Sequence, residues 1–160
     1  MRFKQILVPV DFSAASALAL EEAGTLAKKF DAAIDLLHVW DFPALVGPQE
    51  VYIGAALPPT VLQTVKENAE NAITSCAARA RERGLPVRHA RAVAGTAYEV
   101  IVEEAKSGAY DLVVIGTHGR KLVSRWLLGS VAERVVRHAS CPVLVARPQP
   151  GDEVTAPQSA

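Results

Sequence analysis

The sequence predicts an α/β fold: a doubly wound, five-stranded parallel sheet with four helices. Three observations predict it. Short apolar runs rich in branched residues alternate with segments of helical period along most of the chain. Several of those runs are apolar at successive positions, as strands buried between two helical layers are. The runs are separated by helical segments, as parallel crossovers require, and such crossovers are right-handed.

Residues 3–10, FKQILVPV, form the first apolar run and predict a strand. Residues 13–30 follow with Ala15, Ala19, Ala23, Leu26 and Phe30 at helical spacing. AIDLLHVW, residues 33–40, is rich in branched residues and too short for a typical helix, so it predicts a second buried strand and closes a β-α-β unit. Residues 41–58, DFPALVGPQEVYIGAALP, carry three prolines and two glycines among apolar residues and predict a long connection, a kind that is usually functional or mobile. Pro58 and Pro59 then suit a helix start, and Val61, Val65, Ala69, Ala72, Cys76 and Ala80 give that helix one apolar face until Gly84 and Pro86 stop it.

Residues 87–94, VRHARAVA, alternate polar and apolar, which predicts a strand exposed on one face and lying at an edge. Thr96-x-x-Glu99 reads as a capping box opening a helix that ends near Gly108. DLVVIGT, residues 111–117, predicts a buried strand. After a loop, Ser130-x-x-Glu133 reads as a second capping box for a helix to about residue 138, and CPVLVAR, residues 141–147, is the last strand. The tail, residues 148–160, lacks a core face and is expected to be disordered, which leaves one domain over residues 1–147.

Composition narrows the function. A chain of 160 residues fits one ordinary domain with a real core. Half of it is apolar, yet charges or prolines interrupt every stretch before the roughly 20 residues a membrane helix needs. The basic start reaches Pro9 and Asp11 too soon for the core of a signal peptide. Cys76 and Cys141 stand far apart, with no metal-type cluster beside either, which suits a reducing compartment and predicts a cytoplasmic protein. Seventeen basic and seventeen acidic residues cancel, so no overall field steers the protein to nucleic acid or to an anionic membrane.

In open parallel sheets ligands bind beyond the carboxyl ends of the strands, where the winding reverses. That directs attention to Asp11, to Val39 and to the loop after Ile115. The most informative stretch is GTHGRKLVSRWLLGSVAE, residues 116–133, which leaves a buried strand and enters a helix. Gly116 and Gly119 allow the backbone to turn and to approach a ligand. The N–H groups around Gly129, Ser130 and Val131 lie at a helix start, where donors lack intrahelical partners and the dipole is positive. The helix-end field is worth about 0.3 to 2 kcal/mol, whereas micromolar affinity corresponds to about 8 kcal/mol. A base pocket, a ribose contact, further N–H donors or a divalent cation must supply the rest.

Gly116-x-x-Gly119, nine residues, then Gly129-Ser130 resembles the G-2x-G-9x-G-[ST] motif of the ATP-binding universal stress proteins. ILVPVDFS, LLHVW, DLVVIGTHG and GSVAERVVRHASCPVLVAR resemble the same family in the expected order, so that only the middle loop and the tail fall outside the likeness. The resemblance implies a Rossmann-like, adenine nucleotide α-hydrolase-like fold and a regulatory stress-response module that binds ATP, accompanied by Mg2+ or Mn2+. It implies adenine near Pro9, Val10 and the backbone of Val39, and ribose at Asp11 and Gly116. Thr117, His118, Gly119, Arg120, Gly129, Ser130 and Val131 would then surround the phosphates. It also points to a homodimer, as does the apolar edge that residues 141–147 would expose.

Plainer roles stand beside these. Ser130 can be a helix cap, Asp11 or Ser13 can cap the first helix, and Gly116 and Gly119 can serve a tight turn. His118 can bind phosphate through its N–H or sit exposed, and at least two of Arg120, Lys121 and Arg125 read as solvated surface. His38 and His138 read as packing or hydrogen-bonding groups, with no partner at metal-ligand spacing. Cys76 and Cys141 read as small core residues, and Trp126, Leu127 and Leu128 as anchors of the loop. No catalytic residue and no metal site is assigned. A Walker lysine motif and the kinase motifs are absent, and PVDFS stands where an ATP pyrophosphatase would need S-G-G-x-D-S. Three readings therefore remain open: a regulatory ATP-binding module, a slow ATPase or phosphoryl-transfer enzyme, and an interaction protein without nucleotide.

Overall fold

The computed structural model describes residues 3–41, 59–117 and 128–147. The expected connection after residue 41 and the expected tail beyond residue 147 lie outside the described residues. The described elements run β1 (Gln5–Pro9), α1 (Ala14–Phe30), β2 (Ala33–Trp40), α2 (Pro59–Glu82), β3 (Val87–Ala94), α3 (Ala97–Ser107), β4 (Leu112–Gly116), α4 (Ser130–His138) and β5 (Val143–Ala146). The strands form one sheet in the order β3-β2-β1-β4-β5, and every pairing is parallel.

Alternation along the central strands divides the core in two. Ile6, Val8, Ile34, Leu36, Leu112 and Val114 face α1 and α2, where they meet Ala19, Ala23, Ala27, Ile73, Ala77 and Ala80. Leu7, Leu37, Val113 and Ile115 face α3 and α4, where they meet Ile101, Ala105, Ala132 and Val135. The sheet is thus covered on both faces, as its near-continuous apolar strands require. The run of alanines four apart on α1 lets that helix pack close to the strands.

The apolar face of α2 is turned from the one expected. Its buried residues are Ala69, Ile73, Ala77 and Ala80, while Ala72 and Cys76 lie at the margin and Val61 is exposed. Both capping boxes also fail to form. Thr96 occupies the N-cap of α3 without a side-chain bond, and Glu99 instead accepts from Tyr98 Oη at 2.8 Å. At α4 the cap is Gly129, so Ser130 is the first helical residue, and Glu133 accepts from Arg137 Nη2 at 2.8 Å one turn along. The frame shifts because the Gly129 carbonyl already accepts from Glu133 N at 2.9 Å, the first bond of the helix.

β3 lies at an edge, as its alternation predicts. Its pairing with β2 contains a bulge: Ile34 faces Val87 and Asp35 faces His89, which leaves Arg88 as the extra residue. The Arg88 guanidinium reaches the buried Asp35 carboxylate through Nε at 3.1 Å and Nη2 at 2.6 Å. His89 N and Tyr110 Oη donate to the same carboxylate at 3.2 and 2.8 Å. Burial pushes the Asp35 pKa up, but the hydrogen bonds from Arg88 and Tyr110 and the Arg88 charge outweigh it and hold the group below the ordinary carboxylate value of 3.8. Burial and the bond to Asp35 push the Tyr110 phenol up to about 12.

A group whose folded pKa is depressed stabilises the fold above its unfolded pKa and loses that contribution as pH falls through the folded value. Asp35→Asn should therefore cost about 2 kcal/mol at neutral pH, the scale of hydrogen bonds to a charged group with Arg88 partly solvated. Urea denaturation should show the gap from wild type shrinking as pH falls from 5 to below 3.8. An undiminished gap would mean that the carboxylate's charge contributes nothing.

Candidate functional site

The strand order reverses direction between β1 and β4, which run side by side at the centre of the sheet. Beyond their carboxyl ends the fold brings together Pro9, Val10 and Asp11 after β1, and Gly116 and Thr117 at the end of β4. Val39 stands near the end of neighbouring β2, and Gly129, Ser130 and Val131 open α4. His118, Gly119 and Arg120 lie outside the described residues.

Just after β1, both backbone polar groups of Val10 are held. Its N–H donates to Leu37 O at 2.9 Å, and its carbonyl lies 2.9 Å from His38 Nδ1. A carbonyl can only accept, so His38 carries a proton on Nδ1. The chain then turns through Phe12 at φ 64°, a left-handed conformation that is costly for a bulky residue. The Phe12 ring rests on the His38 imidazole with centroids 4.5 Å apart. Between capping alternatives the structure chooses Ser13: its Oγ accepts from Ser16 N at 3.2 Å and starts α1. Asp11 acts one step behind, its Oδ1 accepting from Ser13 N at 3.0 Å and from Ser13 Oγ at 2.5 Å.

At β4, Gly116 is required by packing. A Cβ there would lie 2.6 Å from both the carbonyl carbon and the oxygen of Ala15, in the first turn of α1. The backbone of α1 thus occupies the space that a side chain would fill. Alternation turns Thr117 to the opposite face, towards α3 and α4. Its N–H donates to Ala146 O of β5 at 3.0 Å, and its carbonyl accepts from Gly129 N at 2.7 Å. One residue therefore ties β4 to β5 and to the start of α4. Its hydroxyl is buried, with the residue 1% exposed, and has no hydrogen-bond partner among the described residues. Such a group costs about 1 to 3 kcal/mol relative to a satisfied one.

Ser130 is exposed and Val131 half-buried at the α4 start, and with Gly129 as cap the Ser130 hydroxyl is not consumed by capping. The first N–H groups of the helix point out of its end without intrahelical acceptors and with the positive end of the dipole behind them. These features fit an anionic ligand with several acceptor oxygens. Among the described residues no cluster of three His, Cys, Asp or Glu side chains could hold a metal ion. Burial raises the thiol pKa of both Cys76 and Cys141, so neither is poised as a nucleophile. His138 is exposed in the last turn of α4, and Leu128 packs on the core beneath α3 and α4.

A family profile described as the universal stress protein family matches residues 2–147. The chain belongs to the universal stress protein family. It is 36% identical over 146 residues to universal stress protein MJ0531 of Methanocaldococcus jannaschii, spanning 91% of this chain and 82% of that one. Among solved structures, universal stress protein UspA from Lactobacillus plantarum is 32% identical with a TM-score of 0.73, covering 92% of this chain and 99% of its own. The structure of MJ0577, another universal stress protein of M. jannaschii, superimposes with a TM-score of 0.76 at 27% identity, covering 94% and 100%. The five-stranded parallel sheet with four helices is the fold of these members.

His38 packs and hydrogen-bonds as the sequence predicts, but its partner, the Val10 carbonyl, and the left-handed turn at Phe12 were not foreseen. The one available signal was a polar histidine within the apolar run AIDLLHVW. The Gly116 contact yields a direct test of the site's frame. Gly116→Ala should destabilise the protein by about 1 to 3 kcal/mol, since backbone must move to admit the methyl group. Chemical denaturation measures this, and an unchanged midpoint would show that α1 does not approach β4 as described.

Proposed function

We propose that this universal stress protein is a regulatory ATP-binding module, with slow or no hydrolysis, whose occupancy is read by a partner surface. The observation that carries the reading is the bond from Gly129 N to Thr117 O, which sets the start of α4 against the end of β4 at the reversal of the sheet. Glycine at the cap places no side chain of its own at the helix end, and the Thr117 hydroxyl, without a partner among the described residues, adds a buried polar group with capacity for a ligand. The G-2x-G-9x-G-[ST] spacing supports the same ligand class.

In this reading adenine lies by Pro9, Val10 and the backbone of Val39, and Asp11 and Gly116 take the ribose. Thr117, His118, Gly119, Arg120, Gly129, Ser130 and Val131 take the phosphates, with Mg2+ or Mn2+ offsetting their charge. Transfer of a phosphoryl group needs something to orient the nucleophile. Among the described site residues the one carboxylate, Asp11, braces the Ser13 cap through Oδ1, which favours binding over turnover. No described helix is long and apolar enough to cross a membrane, and we place the module in the cytoplasm.

Protein stripped of bound small molecules should bind ATP with magnesium at micromolar affinity by calorimetry, and Gly119→Val should weaken that binding at least tenfold while remaining folded. No binding by folded wild type would make the nucleotide-free interaction protein the leading account.

The two sheet edges support a homodimer through β5. β3 is blunted by its bulge and by the inward charge of Arg88, devices that discourage pairing. β5 carries neither, and Leu144 on it is 38% exposed. Light scattering at micromolar concentration should give twice the monomer mass, and Leu144→Lys should reduce it towards monomer. A monomeric wild type would remove the dimer from the proposal.

A further inference from the structure

We infer that His38 is a positioning residue for sugar recognition: through Val10 and Phe12 it fixes the turn that presents Asp11, and so sets discrimination between ribose and deoxyribose. This rests on the nucleotide reading of the site given above. His38 lies on the α1 and α2 side of β2, and it makes two contacts with the turn after β1. One contact holds the Val10 carbonyl at 2.9 Å, while Val10 N–H is already committed to Leu37 O. The N–H bond holds the peptide that enters Val10 and the His38 bond holds the peptide that leads into Asp11, so both peptides flanking Val10 are oriented.

The other contact holds Phe12. A phenylalanine at φ 64° persists only where its surroundings favour that conformation over the extended alternatives. The imidazole under its ring, with centroids 4.5 Å apart, is part of those surroundings, together with the Ser13 cap that follows. Asp11 sits between the two residues that His38 touches. Relaxation of Phe12 to negative φ would redirect the chain on either side of it and carry the carboxylate away from the end of β4. Because the carbonyl demands a donor, the required feature of His38 is a proton on Nδ1 and not charge. The neutral ring supplies that proton as well as the imidazolium does. An asparagine amide can place a donor near the Nδ1 position without the imidazole ring, whereas leucine supplies none.

The experiment is a comparison of ATP with 2′-deoxy-ATP and 3′-deoxy-ATP by calorimetry on wild type, His38→Leu, His38→Asn, Asp11→Ala and the double variant His38→Leu/Asp11→Ala, each checked by thermal unfolding. Wild type should prefer ATP over at least one deoxy analogue. His38→Leu should narrow that preference by about tenfold, the scale of losing one hydrogen bond from a ribose hydroxyl to the Asp11 carboxylate. His38→Asn should retain more of the preference than His38→Leu. In the Asp11→Ala background the leucine should change the preference no further, since His38 acts through that carboxylate. If His38→Leu does not fold, His38→Gln, whose amide is one bond too far out, takes its place. Folded His38→Leu that binds ATP with the wild-type preference overturns the inference while leaving the nucleotide reading intact. Equal loss for all three nucleotides also overturns it, because that is what a purely structural role produces. Wild type that binds no nucleotide overturns both.

Discussion

Where β4 ends, its backbone comes so close to the first turn of α1 that no side chain fits between them. That contact, Gly116 on Ala15, fixes the distance from the centre of the sheet to the helix that follows β1. It therefore also fixes where the turn at Asp11, Phe12 and Ser13 must lie, because α1 begins one residue later. One residue beyond the same strand, the Thr117 backbone bonds to Gly129 and Ala146, so the start of α4 and the end of β5 are set from the same point. The candidate site lies where these contacts converge. Its walls come from elements far apart in sequence, and their spacing is determined by backbone contacts that tolerate little variation in side-chain size.

A second polar centre lies towards the amino ends of the strands. Asp35, Arg88 and Tyr110 join β2, β3 and the entrance to β4 across one buried carboxylate. Burying a charge is expensive unless it is paired and hydrogen-bonded, and here four donor groups satisfy it. The bulge that brings Arg88 inward also spoils the β3 edge for pairing with another chain. One local irregularity thus serves register and solubility together. The opposite edge, β5, lacks it.

The fold was legible in the sequence because strands covered on both faces must be apolar at successive positions, which ILVPV, AIDLL and LVVIG are. The edge position of β3 was legible for the converse reason, since VRHARAVA alternates. Helix termini were less so. Thr-x-x-Glu and Ser-x-x-Glu name residues capable of a capping box, but whether the box forms depends on which residue takes the cap dihedrals, and at α4 that residue is Gly129. The buried stripe of α2 was misjudged because alanine and cysteine mark a face weakly. Ile73 decides it, and it adjoins both the expected and the observed rows. At the site, the glycine spacing placed Gly129 and Ser130 at a helix start, as the structure has them. It did not reveal that Gly116 answers to α1, nor that His38 and Phe12 shape the turn at Asp11, because those are contacts between segments and leave no periodicity to read.

Two departures from ideal local chemistry stand at the carboxyl end of the sheet: a phenylalanine in a left-handed conformation and a buried hydroxyl with no partner among the described residues. Each costs the free protein on the order of 1 to 3 kcal/mol. Asp31 and Ala109 are also left-handed, at φ 55° and 53°, but they end α1 and precede β4 at the opposite end of the sheet. Of the three, only Phe12 lies where strand ends and a helix start converge, next to the candidate site. The helix-end field contributes at most about 2 kcal/mol to anion binding. For the nucleotide proposed above, the larger share must come from contacts already arranged, and the strained turn and the Thr117 hydroxyl, without a partner among the described residues, are candidates for that arrangement.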